Sequence, residues 1–161
     1  MNLFEFTSGI QLAVRAAVAA SVSFALAQFF NFQHPLFAVI AAVVATDFDA
    51  VKSRELGLLR LVATVIGASC GAILSGWLAP GPWSVGLSIL VAMFICQLLR
   101  ARDGAKVAGY ICGIVVIDHS SEPWSYAFFR SLETALGISV AWAIAYVPRL
   151  VRLNEPGEKG S

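Results

Sequence analysis

Charge is what this chain has least of. Asp, Glu, Lys and Arg make up 13% of its residues, whereas about a quarter is usual for a soluble domain. Apolar residues make up 58%, and mean hydropathy is +0.79. That balance excludes an ordinary water-soluble domain and points to lipid. The three cysteines, Cys70, Cys96 and Cys112, all lie in apolar runs. An odd set placed there speaks against a disulfide framework or a metal site, so they read as small packing residues. No phosphate-binding glycine loop, H-E-x-x-H or C-x-x-C occurs, which leaves catalysis without a basis. No enzyme activity, cofactor or metal is therefore expected. The N-terminus lacks a basic region and a cleavage signal, so the first span is expected to be retained.

What is present is long uncharged sequence. Residues 16–46 contain no charged side chain. As one helix they would extend about 46 Å, well beyond the ~30 Å hydrocarbon core. Asn31-Phe32-Gln33-His34-Pro35 breaks the run, and proline suits the first turn of a new helix. Spans are predicted near 10–30 and 35–47. Residues 61–99 form a second uncharged run, cut by Ala79-Pro80-Gly81-Pro82. Spans near 56–78 and 83–99 follow. Asp103-Gly104 turns the chain into a fifth, 105–118, and Pro123-Trp124 into a sixth, 126–147, stopped by Pro148.

Six spans can be oriented by the basic residues of their connections. The side holding the termini receives Lys52, Arg54, Arg100, Arg102, Lys106, Arg149, Arg152 and Lys159, whereas connections 31–34, 79–82 and 119–125 contain no Lys or Arg. Both termini are therefore expected in the cytoplasm. Trp77, Trp83 and Trp124 then fall at the outer boundary, where aromatic residues gather. Merging the short segments into four spans would break this pattern.

One motif occurs twice. Arg60, Thr64 and Gly67 follow R-x-x-x-T-x-x-G, and Arg130, Thr134 and Gly137 repeat it seventy residues on. Each copy follows a Val-Val pair and an Asp, first Val43-Val44 with Asp47 and then Val115-Val116 with Asp118, while Gln28 and Gln97 also match. Three spans per copy is an odd number, so the second half must enter the membrane from the opposite face. The predicted architecture is all-α, six transmembrane helices as a 3+3 inverted-topology repeat, with halves 10–78 and 83–148 and a short disordered cytoplasmic tail at 151–161. Spans 2 and 5 are both short, and Gly109 and Gly113 interrupt the fifth; paired short segments of this kind point to a central site.

An arginine inside apolar sequence is costly and calls for a partner, water or a substrate. Arg60 and Arg130 are the leading candidates for a basic path, with Arg15 in span 1 as a third. A guanidinium is charged at any relevant pH and suits carboxylates. The structural alternative pairs Arg130 with Glu133, pairs Arg60 with Asp47 or Glu55, and lets Arg15 snorkel. Thr64 and Thr134, one turn deeper, could bond an anion or their own helix carbonyls. Asp47, Asp118, His119 and Glu133 are candidates for a proton relay or for ion pairs. Gly67, Gly71 and Gly137 read as helix-packing positions. His34 is assigned no role.

Arg15, the Pro-Leu-Phe-Ala-Val opening of span 2, and R-x-x-x-T-x-x-G-x-x-x-G at Arg60–Gly71 resemble the fusaric acid resistance (FUSC) / aromatic acid exporter superfamily. The second copy at Arg130–Ile138, followed by Pro148, fits the same pattern, so the likeness covers about residues 10–150. It implies efflux of aromatic carboxylic acids and, through distant similarity to aluminium-activated malate transporters, a dimeric six-helix anion channel. In that group basic residues of the third and sixth helices line the path, which by resemblance are Arg60 and Arg130. Span 2 departs from the pattern with Phe37 where a Trp is expected. One unit without the cytosolic parts of longer members implies a homodimer in a bacterial inner membrane, with the path near its two-fold axis. The expected function is a transporter or channel for organic anions. The partners expected are an anionic small molecule and the lipid bilayer, with no nucleic acid. A small inorganic-anion channel and a non-transporting membrane scaffold are the alternatives.

Overall fold

The protein is described by a computed structural model over residues 3–47, 49–79, 81–118 and 122–146. The expected stop at Pro148 and the tail 151–161 lie outside the described residues. Among those residues every regular element is helical: α1 (Leu3–Phe29), α2 (Pro35–Ala45), α3 (Ala50–Ser75), α4 (Pro82–Leu98), α5 (Ala105–Asp118), α6 (Pro123–Ala145), and a 3-10 turn at Arg102–Gly104 before α5. Prolines occupy the first turn of α2, α4 and α6, where a missing N–H costs nothing. Asp49 starts α3 by accepting from the Val51 N–H at 2.9 Å, which sets the helix start six residues ahead of the expected 56.

Helices α1 and α4 end alike. In α1 the Phe32 N–H reaches the Ala27 carbonyl and the Asn31 N–H that of Gln28; in α4 Ala101 reaches Cys96 and Arg100 reaches Gln97. Asn31 and Arg100 both take left-handed backbone angles, with φ of 53° and 59°. These are two copies of one Schellman cap, set sixty-nine residues apart and containing the matched Gln28 and Gln97.

At the centre α3 crosses α6. The two run antiparallel: the Trp142 Nε1–H donates to the Ser53 carbonyl at 3.2 Å at one end, while Ala68 and Ala72 meet Ala127 at the other. Helix α5 lies parallel to α3, with Gly67 against Ala108 and Gly71 against Val115. Helix α2 lies parallel to α6, with Gly137 against Ala38. Helix α4 runs antiparallel to α5, so Met93 meets Gly109, and α1 covers α2. Exchanging α1 with α4, α2 with α5 and α3 with α6 carries this set of contacts onto itself. Each short helix therefore packs mainly on the long helix of the other half.

Two glycines make this packing close. A Cβ at Gly67 would run into the Ala108 carbonyl oxygen, and one at Gly137 into that of Ala38. A shift of seventy residues carries one contact onto the other. The interior is accordingly rich in Ala, Gly, Ser and Cys beside a few branched residues such as Ile111, Val115 and Ile138, with the three cysteines buried and outside any disulfide. The outside carries Phe24, Leu36, Leu58, Leu90 and Phe94. Small residues within and large apolar ones without is the distribution of a bundle solvated by lipid. Helices α1, α3 and α6 each contain a segment long and apolar enough to cross a membrane, Gly9–Phe29, Val51–Ser75 and Pro123–Ala145; α2 and α4 are shorter apolar helices.

Overpacking an interior typically costs about 1–3 kcal/mol. Gly137→Ala should cost at least that, because backbone rather than a side chain must move. Gly86 has nothing within 4 Å of its missing Cβ, and Gly86→Ala should be neutral or stabilising by up to ~1 kcal/mol. Thermal unfolding of the two variants in detergent checks the contrast.

Candidate functional site at the α3–α6 crossing

The two motif arginines meet inside the bundle. Arg60 is 6% exposed and Arg130 2%. Arg130 lies within electrostatic reach of Arg60, Tyr110, Tyr126 and Glu133. Among the described residues neither arginine makes an ion pair; Asp47, a candidate partner for Arg60, is instead engaged by Lys52 at 3.1 Å. Arg60 Nη2 donates to Tyr110 Oη at 3.0 Å, while its Nε finds no acceptor. The Arg130 guanidinium lies over the Phe37 ring, 3.0 Å from the centroid. A desolvated contact of that type contributes about 2 kcal/mol. It satisfies no N–H, and Arg130 Nε and Nη1 have no hydrogen-bond partner among the described residues.

Glu133 lies one turn from Arg130 but turns toward α2. Its Oε1 accepts from the His34 backbone N–H at 2.9 Å, which satisfies a donor left open at the start of that helix. The His34 ring packs edge-on against Phe37 and Tyr126. The turn between α1 and α2 is thus fastened to α6 through a buried carboxylate. Beside it lies an open groove of about 590 Å³ whose lining includes Ser21, Phe24, His34, Leu36 and Phe37. The arginines do not line it; Phe37 belongs both to the groove and to the Arg130 contact.

The remaining candidates are dispersed. Thr64 Oγ1 donates to its own helix at the Arg60 carbonyl, 2.8 Å away, and Thr134 is buried. Arg15 sits half-buried on α1, a helix that packs on α2 and α6 and not on α3. Asp118 is exposed at the end of α5, within electrostatic reach of Tyr126. His119 lies outside the described residues. Gly67, Gly71 and Gly137 sit at helix contacts. Sequence reasoning missed Tyr110, Tyr126 and the backbone of His34. Nothing in local spacing marks them, since Tyr110 is fifty positions from Arg60 and His34 ninety-nine from Glu133. Among the described residues no three His, Cys, Asp or Glu side chains gather as metal ligands.

The helical bundle carries large apolar side chains outside and two buried arginines at its central crossing. Over residues 10–147 the chain matches the family described as Aromatic acid exporter family member 1, and it belongs to that family. It is similar to a UPF0421 protein of Oceanobacillus iheyensis, 31% identical over 66% of this chain and 31% of the relative. A UPF0421 protein of Halalkalibacterium halodurans is 25% identical over 83% of this chain and 38% of its own length. One from Staphylococcus epidermidis is 31% identical over 70% and 35%. The chain thus spans about a third of the length of these relatives. No solved structure matches it.

Glu133→Ala would leave the part-buried His34 N–H without its acceptor, and stability should fall by about 1–3 kcal/mol. Glu133→Gln keeps an acceptor oxygen and should lose well under half of that. Melting temperatures in detergent distinguish the two.

Proposed function

We propose that this chain is the membrane unit of a transporter or channel for organic anions, aromatic or small carboxylic acids, with Arg60 and Arg130 as the basic groups of its path. The observation that carries the reading is the pair of buried guanidinium groups at one helix crossing, with no ion pair to either among the described residues and with Nε and Nη1 of Arg130 unpartnered there. An unsatisfied buried donor costs about 1–3 kcal/mol, more for a charged group. A carboxylate passing the crossing would supply the missing acceptors in the bidentate geometry guanidinium favours. The family's description as an aromatic acid exporter supports an organic over an inorganic solute. A scaffold with arginines locked in ion pairs finds no support among the described residues, where neither arginine makes one.

The alternating helix directions and the exchange-symmetric packing support six spans arranged as a 3+3 inverted repeat. In that arrangement the first turns of α2, α4 and α6 face outward. The termini and the Lys- and Arg-bearing connections face the cytoplasm. Helices α2 and α5, of 11 and 14 residues, would cover only about 16 and 21 Å of the bilayer. The relatives are bacterial, which supports a bacterial inner membrane. A homodimer with the path near its axis completes the proposal.

Reconstituted in liposomes, the protein should carry labelled benzoate. Arg60→Ala and Arg130→Ala should each lower that flux about tenfold or more, the worth of a hydrogen bond to a charged group. Absent flux in the parent, or full flux in both variants, would sink the reading. Flux that keeps its pH dependence in Glu133→Gln would remove Glu133 from any proton relay.

A further inference from the structure

The exchange of halves breaks down on one helix face. A shift of seventy residues carries Leu36 and Ile40 of α2 onto Lys106 and Tyr110 of α5. All four positions are exposed, Leu36 by 61%, Ile40 by 36% and Tyr110 by 40%. In one half the face is apolar and suited to lipid. In the other it carries an ammonium group and, one turn on, a phenol that touches a buried arginine.

Hydrogen-bond direction decides what that phenol offers. A guanidinium has only donors, so in the 3.0 Å contact Tyr110 Oη must accept from Arg60 Nη2. The phenolic proton is then left to be donated elsewhere. Arg60 Nε is unpartnered as well. Lys106, Tyr110 and Arg60 thus form a run of donors from the surface to the buried crossing, with no carboxylate bonded to any of them among the described residues.

We propose that the exposed α5 face bearing Lys106 and Tyr110 is an anion-binding subsite, in which the Tyr110 hydroxyl donates to a bound carboxylate and hands it to Arg60. The proposal rests on the transport reading above. It adds an asymmetry: α5 begins at the cytoplasmic face in the proposed topology, so the subsite loads from inside, while the matching α2 face offers no counterpart outside. Lys106 attracts the anion and Tyr110 positions it.

Anion currents carried by benzoate, recorded separately from each face of a phosphatidylcholine bilayer, test this. Tyr110→Phe keeps the ring and removes the donor; Lys106→Met keeps the stem and removes the charge. Each should raise the half-saturating benzoate concentration about fivefold to tenfold from the inner face and leave outer-face behaviour as in the parent; Lys106→Met should also keep the parent's melting temperature, whereas Tyr110→Phe removes the acceptor of Arg60 Nη2 as well. If both variants match the parent while Arg60→Ala loses current, the subsite is overturned and the transport reading stands. If Arg60→Ala and Arg130→Ala also conduct fully, the transport reading itself fails. Should Tyr110→Phe melt early, the surface residue Lys106 decides alone. An effect seen only after phosphatidylglycerol is added would assign the face to a lipid phosphate and overturn the carboxylate proposal.

Discussion

A guanidinium group inside a lipid-solvated bundle has to be compensated, and the arrangement around the α3–α6 crossing follows from how little compensation this protein supplies. Arg60 is held by one phenol oxygen and Arg130 by the face of one aromatic ring. Both contacts orient the cation without cancelling its charge. Glu133, the buried acid nearest in sequence to Arg130, is committed to a backbone N–H of the α1–α2 turn. Glu133 therefore acts on Arg130 only through its field and not through an ion pair.

Close backbone contact makes the crossing achievable. Gly67 and Gly137 bring α5 onto α3 and α2 onto α6, and the two arginines stand two turns before these contacts on the same helices. The spacing of arginine, threonine and glycine in the motif therefore fixes where the cation lies relative to the tightest point of packing. Thr64 belongs to the same arrangement, since its hydroxyl closes on the Arg60 carbonyl.

Much of this was legible in the sequence, for identifiable reasons. Prolines at 35, 82 and 123 mark helix starts because their ring leaves little else for them to do, and the segments they separate are the helices observed. Helix starts were less legible: α3 begins at Ala50, ahead of the apolar run, because the Asp49 cap rather than hydropathy decides where it opens. The paired arginines stood out because the motif repeats. Their contacts did not. Tyr110 and Phe37 approach from helices of the opposite half, and the i, i+3 spacing of Arg130 and Glu133 suggests an ion pair that the structure does not make. Local spacing indicates which side chains share a face, not which neighbour arrives to meet them.

The interlocking of the halves bears on how the protein is assembled as it is synthesised. Helix α2 leaves the ribosome well before α6, the helix on which it mainly packs. At 11 residues it is shorter than the ~20 that cross a hydrocarbon core, so until α6 arrives it lacks the helix that covers the largest share of its packing face. Insertion of the last helix is thus the event that seats the second, and a chain interrupted before α6 would hold neither half in its final place.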